Sequence, residues 1–210
     1  MDLMKKFIPL VVLPLMAGCS LFFVSGPELR EIKGDRFIVE LKYNTDDNFL
    51  KTNVYRKFGL DKCYLRPELA EKIQRLTGPL TEYKLKLVLF DCYRPLEVQR
   101  EMWKILPDPE FVANPEKGSN HNRGVAIDVG LASEDGTPLS FPAPFDDFTK
   151  QASHSFVCPE AAVSGCENRD LLKKMMTEAG LKALNSEWWH YELPEAKKYP
   201  LLKRSLRRIP

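Results

Sequence analysis

The residues able to do chemistry in this 210-residue chain fall in two short stretches. In the first, His121 is followed by Asp128, which takes the polar face of an otherwise apolar run over 124–131. A carboxylate there is costly unless it is paired or bound to a cation. In the second, Glu187-Trp188-Trp189-His190 sets a carboxylate and an imidazole beside two tryptophans. That rigid, poorly hydrated wall strengthens a metal–ligand bond and lifts a carboxylate pKa toward the range of a general base. His121, Asp128 and His190 form a set of two imidazoles and one carboxylate. Such a set leaves a fourth tetrahedral position for water, as a catalytic zinc requires. Zinc lowers the pKa of that water and polarises a bound carbonyl. Glu187, tied to His190 by a short stretch of chain, is the carboxylate to take the water's proton and pass it to a leaving amine. Each residue also has an ordinary reading: a solvated loop histidine for His121, loop hydrogen bonds for Asp128, an aromatic core strand for 187–192.

The elements that must position these groups are partly readable. Residues 84–90 (KLKLVLF) alternate and then turn wholly apolar, a strand that delivers Asp91-Cys92-Tyr93-Arg94 at its end. Residues 37–42 read as an earlier strand and 124–131 as a third, with Val125, Ile127 and Val129 on one face. Pro67 opens a helix that Gly78-Pro79 stops, and Pro95 opens another that runs to about Leu106. Residues 132–166 read as a long loop system containing His154 as a solvated residue. Asn168 caps a helix through Ala179, with Leu171, Leu172, Met175 and Met176 in its buried stripe, and Gly180 ends it. Residues 187–193 read as a last strand. Strict alternation would put Glu187 and His190 on opposite faces, so the chemical reading requires a bend at that strand's entrance. Strands and helices alternate without regular βαβ spacing. The expected class is therefore α+β: one domain with a central, mainly antiparallel sheet flanked by helices and a zinc site in a cleft on it.

Ser119-Asn-His121-Asn-Arg-Gly124-Val-Ala126-Ile-Asp128 resembles the SxHxxGxAxD motif, and Glu187-Trp-Trp-His190 the ExxH motif, of the zinc D-Ala-D-Ala metallopeptidases. Within that family the chain is most similar to the D-alanyl-D-alanine dipeptidases of the vancomycin-resistance type. Supporting stretches are Tyr43–Phe49, Asp91–Pro95, Phe145–Phe148 and Asn168-Arg169, and the likeness spans roughly residues 36–193. The resemblance implies one zinc per subunit on His121, Asp128 and His190, with Glu187 as base and then acid. It also implies Arg94 as the cation that stabilises the oxyanion. Asp146 and Tyr43 would hold the ammonium of a free dipeptide, a ruler that rejects longer chains, and Ser119 would support the metal loop at the substrate site. Where relatives carry Met-Gly-Thr before the Phe-Asp, this chain has Phe141-Pro142-Ala143. The expected activity is hydrolysis of D-alanyl-D-alanine or related dipeptides from cell-wall turnover. The alternatives are a peptidoglycan D,D-carboxypeptidase or endopeptidase, and a non-catalytic zinc-stabilised binding module of the envelope.

The first residues are set apart. Lys5 and Lys6 precede an apolar run, 7–16, and Ala17-Gly18-Cys19 follows, which reads as an export signal over 1–18. The run is short for a membrane span and is interrupted by Pro9 and Pro14. Small residues followed by Cys resemble the bacterial lipoprotein signal, although Met16 stands where that signal prefers Leu. By that resemblance Cys19 is lipidated and tethers the domain to the outer membrane, facing the periplasm. Residues 19–34 then form a linker, 35–195 the peptidase domain and 196–210 a basic tail that is solvated or touches anionic lipid. Loss of 1–18 takes away Lys5, Lys6 and Asp2 and leaves Cys63, Cys92, Cys158 and Cys166. An even number in an exported chain suggests disulfides. Cys158–Cys166 closes a short loop, which leaves Cys63 with Cys92. A net charge of +2 provides no global basic field, so nucleic acid is not an expected partner.

Overall fold

The computed structural model describes residues 28–202. In chain order these carry β1 (Arg30–Glu31), β2 (Phe37–Val39), β3 (Tyr64–Leu65), α1 (Pro67–Arg75), α2 (Thr77–Glu82), β4 (Leu85–Asp91), α3 (Leu96–Ile105), β5 (Ala126–Ser133), α4 (Val163–Glu178), β6 (Lys182–Ala183) and β7 (His190–Glu192). Five strands form one sheet in the order β2-β4-β5-β7-β6, and β1 with β3 makes a separate antiparallel ribbon. Only β2 and β4 run parallel in the large sheet; every other pair is antiparallel. The fold is thus mixed α+β in a single domain. Among the described residues no helix is long and apolar enough to cross a membrane.

The alternation read over 84–90 and 124–131 becomes the centre of this sheet. Leu87 lies opposite Leu131, Leu89 opposite Val129, and Ile127 opposite Tyr191. These side chains are buried on one face together with Leu69 and Ile73 of α1 and Leu80 of α2. The other face carries Gly130, where an added Cβ would lie 2.7 Å from the Phe90 ring, so glycine lets that ring lie flat on the strand. Asp128 and His190, directly opposite each other, occupy the same face at the sheet's end. A register irregularity between Leu89 and Asp91 brings Asp91 opposite Asp128. Bulges of this kind re-aim side chains beside functional sites.

Several boundaries differ from the sequence expectation. Gly78-Pro79 does not stop the helical region, because α2 runs through it. Pro79 sits in the first turn, where a missing N–H costs no helical bond. Helix α4 starts at Val163 rather than after Asn168. Val163-Ser164-Gly165 favours helix weakly, but Gly165 packs against the backbone of Phe141 at 3.0 Å from a virtual Cβ, and tertiary contact overrides propensity. Asn168 is not the cap; its amide donates to the Ser140 carbonyl. The segment 28–34, read as linker, is built into the domain: Leu29 and Ile32 are buried and β1 pairs with β3. Ala196 and Leu202, read as tail, are buried as well. Leu29, Tyr64, Tyr93 and Leu202 form a second apolar cluster. The signal over 1–18, Cys19 and the basic residues Lys203, Arg204, Arg207 and Arg208 lie outside the described residues.

The structure pairs Cys63 with Cys92 and Cys158 with Cys166, at Cα separations of 5.3 and 5.9 Å. The first joins β3 to the end of β4 across 29 residues and the second spans only 8. Loop-closure entropy grows with length, so the two bridges stabilise unequally. Cys63→Ser/Cys92→Ser is expected to cost about 3–4 kcal/mol and Cys158→Ser/Cys166→Ser about 2–3 kcal/mol. Urea midpoints of the two double variants check the order; an inverted order would show that native-state contacts, not chain entropy, set the difference.

Candidate active site

Sheet register makes the first contact of the site. Because Asp128 and His190 are cross-strand neighbours, His190 Nδ1 lies 2.9 Å from Asp128 Oδ1. His121 reaches the same point from a 3₁₀ turn over 121–123 that ends at Gly124. Gly124 has φ +69°, and a Cβ there would crowd Leu29, Leu202 and Arg66 at 3.1–3.3 Å, so the turn needs glycine twice over. His121 Nε2 lies 3.3 Å from His190 Nδ1 and 3.4 Å from Asp128 Oδ1. The three facing atoms are all within 4.8 Å of one another, and all three residues are buried.

The outward ring nitrogens identify what faces inward. His121 Nδ1 lies 2.9 Å from the Cys92 carbonyl, which can only accept, so Nδ1 carries the proton and Nε2 presents a lone pair. His190 Nε2 lies 3.5 Å from Glu192 Oε2, itself held by a 2.6 Å bond from the Asn120 amide. His190 Nδ1 is the closer-held nitrogen and donates to Asp128 Oδ1 at 2.9 Å; a cation bound there would displace that proton, leaving Nε2–H toward Glu192 and the Nδ1 lone pair inward. Two imidazole nitrogens and a carboxylate oxygen therefore converge on one buried point. Lone pairs so placed repel unless a cation sits among them, and the carbonyl and carboxylate behind the rings are the orienting partners metal-bound imidazoles have. The donor set fits a divalent metal of the zinc type. Without a cation a proton takes the central place. Burial opposes charge on His190, but Asp128 and Glu192 outweigh it and raise the His190 pKa. Burial likewise works against the Asp128 carboxylate, yet the two histidines hold its pKa below the ordinary range.

The predicted bend is present. The His190 N–H donates to the Glu187 carbonyl at 3.3 Å, so 187–190 is a turn and β7 begins only at His190. Glu187 thereby shares a face with His190, its Oε2 3.9 Å from His190 Nδ1. Burial, reinforced by the nearby Asp128 charge, raises the Glu187 pKa. The Trp188 N–H donates to the Ala152 carbonyl and its indole to the Ala143 carbonyl at 2.9 Å, which locks the turn.

A cavity of about 240 Å³ opens beside these groups and brings Arg94, Tyr43, Asp146 and Ser119 together with His121, Asp128, Glu187 and His190. Arg94 Nε donates to Asp91 at 3.1 Å and Nη1 to Gln99 at 3.0 Å, while Tyr55 also donates to Asp91. The Arg94 N–H donates to the His121 carbonyl and the Asn122 amide to the Arg94 carbonyl, so the two loops are tied to each other. Ser119 belongs to the same loop, its N–H bonded to Asn122 Oδ1 at 2.7 Å. Asp146 holds a left-handed backbone, φ +61°, and accepts from the Tyr43 hydroxyl at 3.2 Å. Its other oxygen is buried without a partner. Burial, and then the charge of Asp128, push the Asp146 pKa well up, so this carboxylate calls for a cationic partner.

Asp91, Gln99, Tyr55, Asn120, Asn122 and Glu192 are the supporting residues that sequence reasoning missed as site residues. Gln99 left a usable signal, a polar residue beside Val98 on the buried side of α3. Tyr55 left none. His154, read as solvated, is buried, and neither ring nitrogen has a partner. Burial, helped by Lys173 and Arg169 against the opposing Asp170, lowers its pKa to about 4. Its folded pKa lies below the unfolded value of about 6.5, so the unfolded chain binds the extra proton. Stability is accordingly expected to fall as pH drops from about 6.5 to 4, by at most about 3 kcal/mol. Denaturant midpoints across that window should flatten in His154→Phe; an unchanged slope would assign it to other groups.

The chain is similar along most of its length to known dipeptidases. A family model described as D-ala-D-ala dipeptidase, of the M15 peptidases, matches residues 27–207. A D-alanyl-D-alanine dipeptidase of Escherichia coli K12 is 37% identical over 164 residues, 78% of this chain and 82% of the relative. Another, of Enterococcus faecium, is 28% identical over 183 residues, 77% of this chain and 87% of the relative. A bifunctional D-Ala-D-Ala dipeptidase and carboxypeptidase of Enterococcus gallinarum is 33% identical over 96 residues, 42% of this chain and half of the relative.

Proposed function

The chain belongs to the D-Ala-D-Ala dipeptidase family of M15 metallopeptidases, and from that premise we propose that it hydrolyses D-alanyl-D-alanine or a closely related free dipeptide with one zinc ion. The observation that carries this reading is the meeting, in one cavity, of the donor atoms of His121, Asp128 and His190, the buried Glu187 and the partnerless oxygen of Asp146. His121, Asp128 and His190 would hold the ion, which when bound supplies Lewis acidity toward the scissile carbonyl and a water of lowered pKa. Glu187 accepts the proton of the attacking water and returns it to the departing amine as the C–N bond breaks. Its raised pKa brings the two protonation states close enough for both halves of that task. Arg94, fixed by Asp91 and Gln99, has further N–H groups to direct at the oxyanion without reorganising as charge develops. Asp146, with Tyr43 behind it, takes the ammonium of the dipeptide. Burial makes a carboxylate without a cation there unfavourable, which sets the distance from the ion to the substrate's amino end. Ser119 keeps the loop of His121 in place.

Because the buried Asp146 rewards a free amine, metal-loaded protein is expected to cleave D-Ala-D-Ala and to leave intact a pentapeptide ending in D-Ala-D-Ala. Mass spectrometry of the two digests is the test. Pentapeptide cleavage beside an intact dipeptide would replace this reading with the carboxypeptidase one. The export signal over 1–18 and the lipidation of Cys19 complete the proposal, placing the activity in the periplasm on dipeptides from wall turnover. The charged, apolar and small-residue order of the first 19 residues supports it.

A further inference from the structure

The mouth of the active-site cavity is apolar where its floor is charged. Among the described residues, Phe111, Phe148 and Leu184 are large apolar side chains left 40%, 37% and 41% exposed, and all three line this one cavity. Exposed apolar groups gathered at one site mark binding surfaces, whereas the same groups scattered singly carry no meaning. Phe148 is the centre of the group. Its ring meets Phe49 edge-on at 5.3 Å between centroids and Phe111 at 5.0 Å. Three separate segments, 42–55, 107–118 and 141–149, thus bring one ring each to a continuous aromatic wall.

That wall has a definite place relative to the substrate. Tyr43, whose hydroxyl donates to the Asp146 carboxylate, meets the Phe49 ring edge-on at 6.2 Å between centroids, and Phe148 follows Asp146 by two residues. The rings therefore begin at the group assigned to the substrate's ammonium and run outward to the mouth. Leu184 lies at the other end, its carbonyl accepting the Glu187 N–H at 3.1 Å. An amino-terminal residue anchored at Asp146 has its side chain beside Phe148 and Phe111. A methyl group would leave most of those ring faces in water; a larger apolar side chain would cover them.

We propose that Phe49, Phe111 and Phe148 form a side-chain subsite for the amino-terminal residue of the dipeptide, and that it takes an apolar or aromatic side chain larger than that of alanine. The proposal rests on the dipeptidase reading for its anchor at Asp146 and extends it to the substrate class. Shape complementarity in an apolar pocket discriminates by about 10-fold or more per well-placed methylene. The partly open wall sets the expectation at the low end of that range.

The test is calorimetric binding to the zinc-loaded Glu187→Gln protein, in which turnover is suppressed. D-Leu-D-Ala and D-Phe-D-Ala are expected to bind about 10-fold more tightly than D-Ala-D-Ala, and D-Ala-D-Phe to show no such gain. Phe148→Ala and Phe111→Ala, both at exposed positions, should each erase most of the preference while changing D-Ala-D-Ala binding far less. D-Ala-D-Ala binding as tightly as the larger dipeptides, or a preference that survives both substitutions, overturns the subsite. So does the absence of binding by every dipeptide. Turnover by the unsubstituted enzyme separates the two claims. Hydrolysis of D-Ala-D-Ala without any size preference sinks only the subsite, and a size preference in binding without turnover of any dipeptide sinks only the dipeptidase reading.

Discussion

Glu187→Gln is expected to lower kcat by about 10²–10⁴-fold, the range supplied by a positioned acid–base group, while the protein keeps its full complement of metal. Glutamine preserves the length and polarity of the side chain at the 187–190 turn but has no proton-accepting carboxylate. It also leaves His121, Asp128 and His190 unaltered, and the turn that aligns them is a backbone bond from the His190 N–H to the Glu187 carbonyl. The discriminating measurement is therefore paired: steady-state turnover together with metal content after gel filtration. Lost turnover with retained metal supports the assigned role. Turnover that survives the substitution moves the base to another residue, and loss of metal along with turnover would mean that Glu187 holds the ion rather than the proton.

Asp128→Asn should produce the opposite pattern, with metal lost first and activity following. Asp128 is the anionic member of the three and faces both imidazoles at 2.9 and 3.4 Å. Partners that merely orient a metal ligand are worth about 10–100-fold in affinity, so deleting the charged donor itself should exceed about 100-fold. The same coupling appears in stability, since an ion that binds only the folded state contributes about 2.7 kcal/mol at a free concentration 100 times its Kd. Unsubstituted protein should thus lose thermal stability on chelation, and Asp128→Asn should melt at the same temperature with and without chelator. A chelator effect of equal size in both proteins would falsify the three-residue site.

The two variants divide the site along a line that runs through its construction. On the proposed reading, metal affinity would depend on a cross-strand pair and one 3₁₀ turn, and catalysis on a side chain placed by a separate backbone turn. Arg94 stands between the two, since its backbone binds the loop of His121 while its guanidinium faces the cavity. The C-terminal segment braces the same loop: the Leu202 N–H donates to the Asn122 carbonyl, and Arg123 and Arg66 donate to the carbonyls of Tyr199 and Pro200.

Much of this was legible from the chain alone, and for physical reasons. Period-two alternation is a property of neighbouring residues, so residues 84–90 and 124–131 announced the two central strands, and the expense of Asp128 on one of them announced a charge needing a partner. The types His, Asp, His and Glu carry their chemistry wherever they stand, and the resemblance of their two motifs to a metallopeptidase family narrowed the expectation to a hydrolytic metal. The chemical reading required the bend at Glu187, because a straight strand would send Glu187 and His190 to opposite faces. Only the tertiary structure decided how those groups are held. The Cys92 carbonyl sets the tautomer of His121 from 29 residues away, Asp91 and Gln99 cradle Arg94, and Tyr43 reaches Asp146 across 103 residues. Hydrogen bonds between segments so far apart leave no period in the sequence. The same holds for α4, which begins early because Gly165 packs on Phe141, and for the segments around Leu29 and Leu202, which meet in one buried cluster with Tyr64 and Tyr93. Local pattern singled out the candidate residues; long-range packing determined which way each one points.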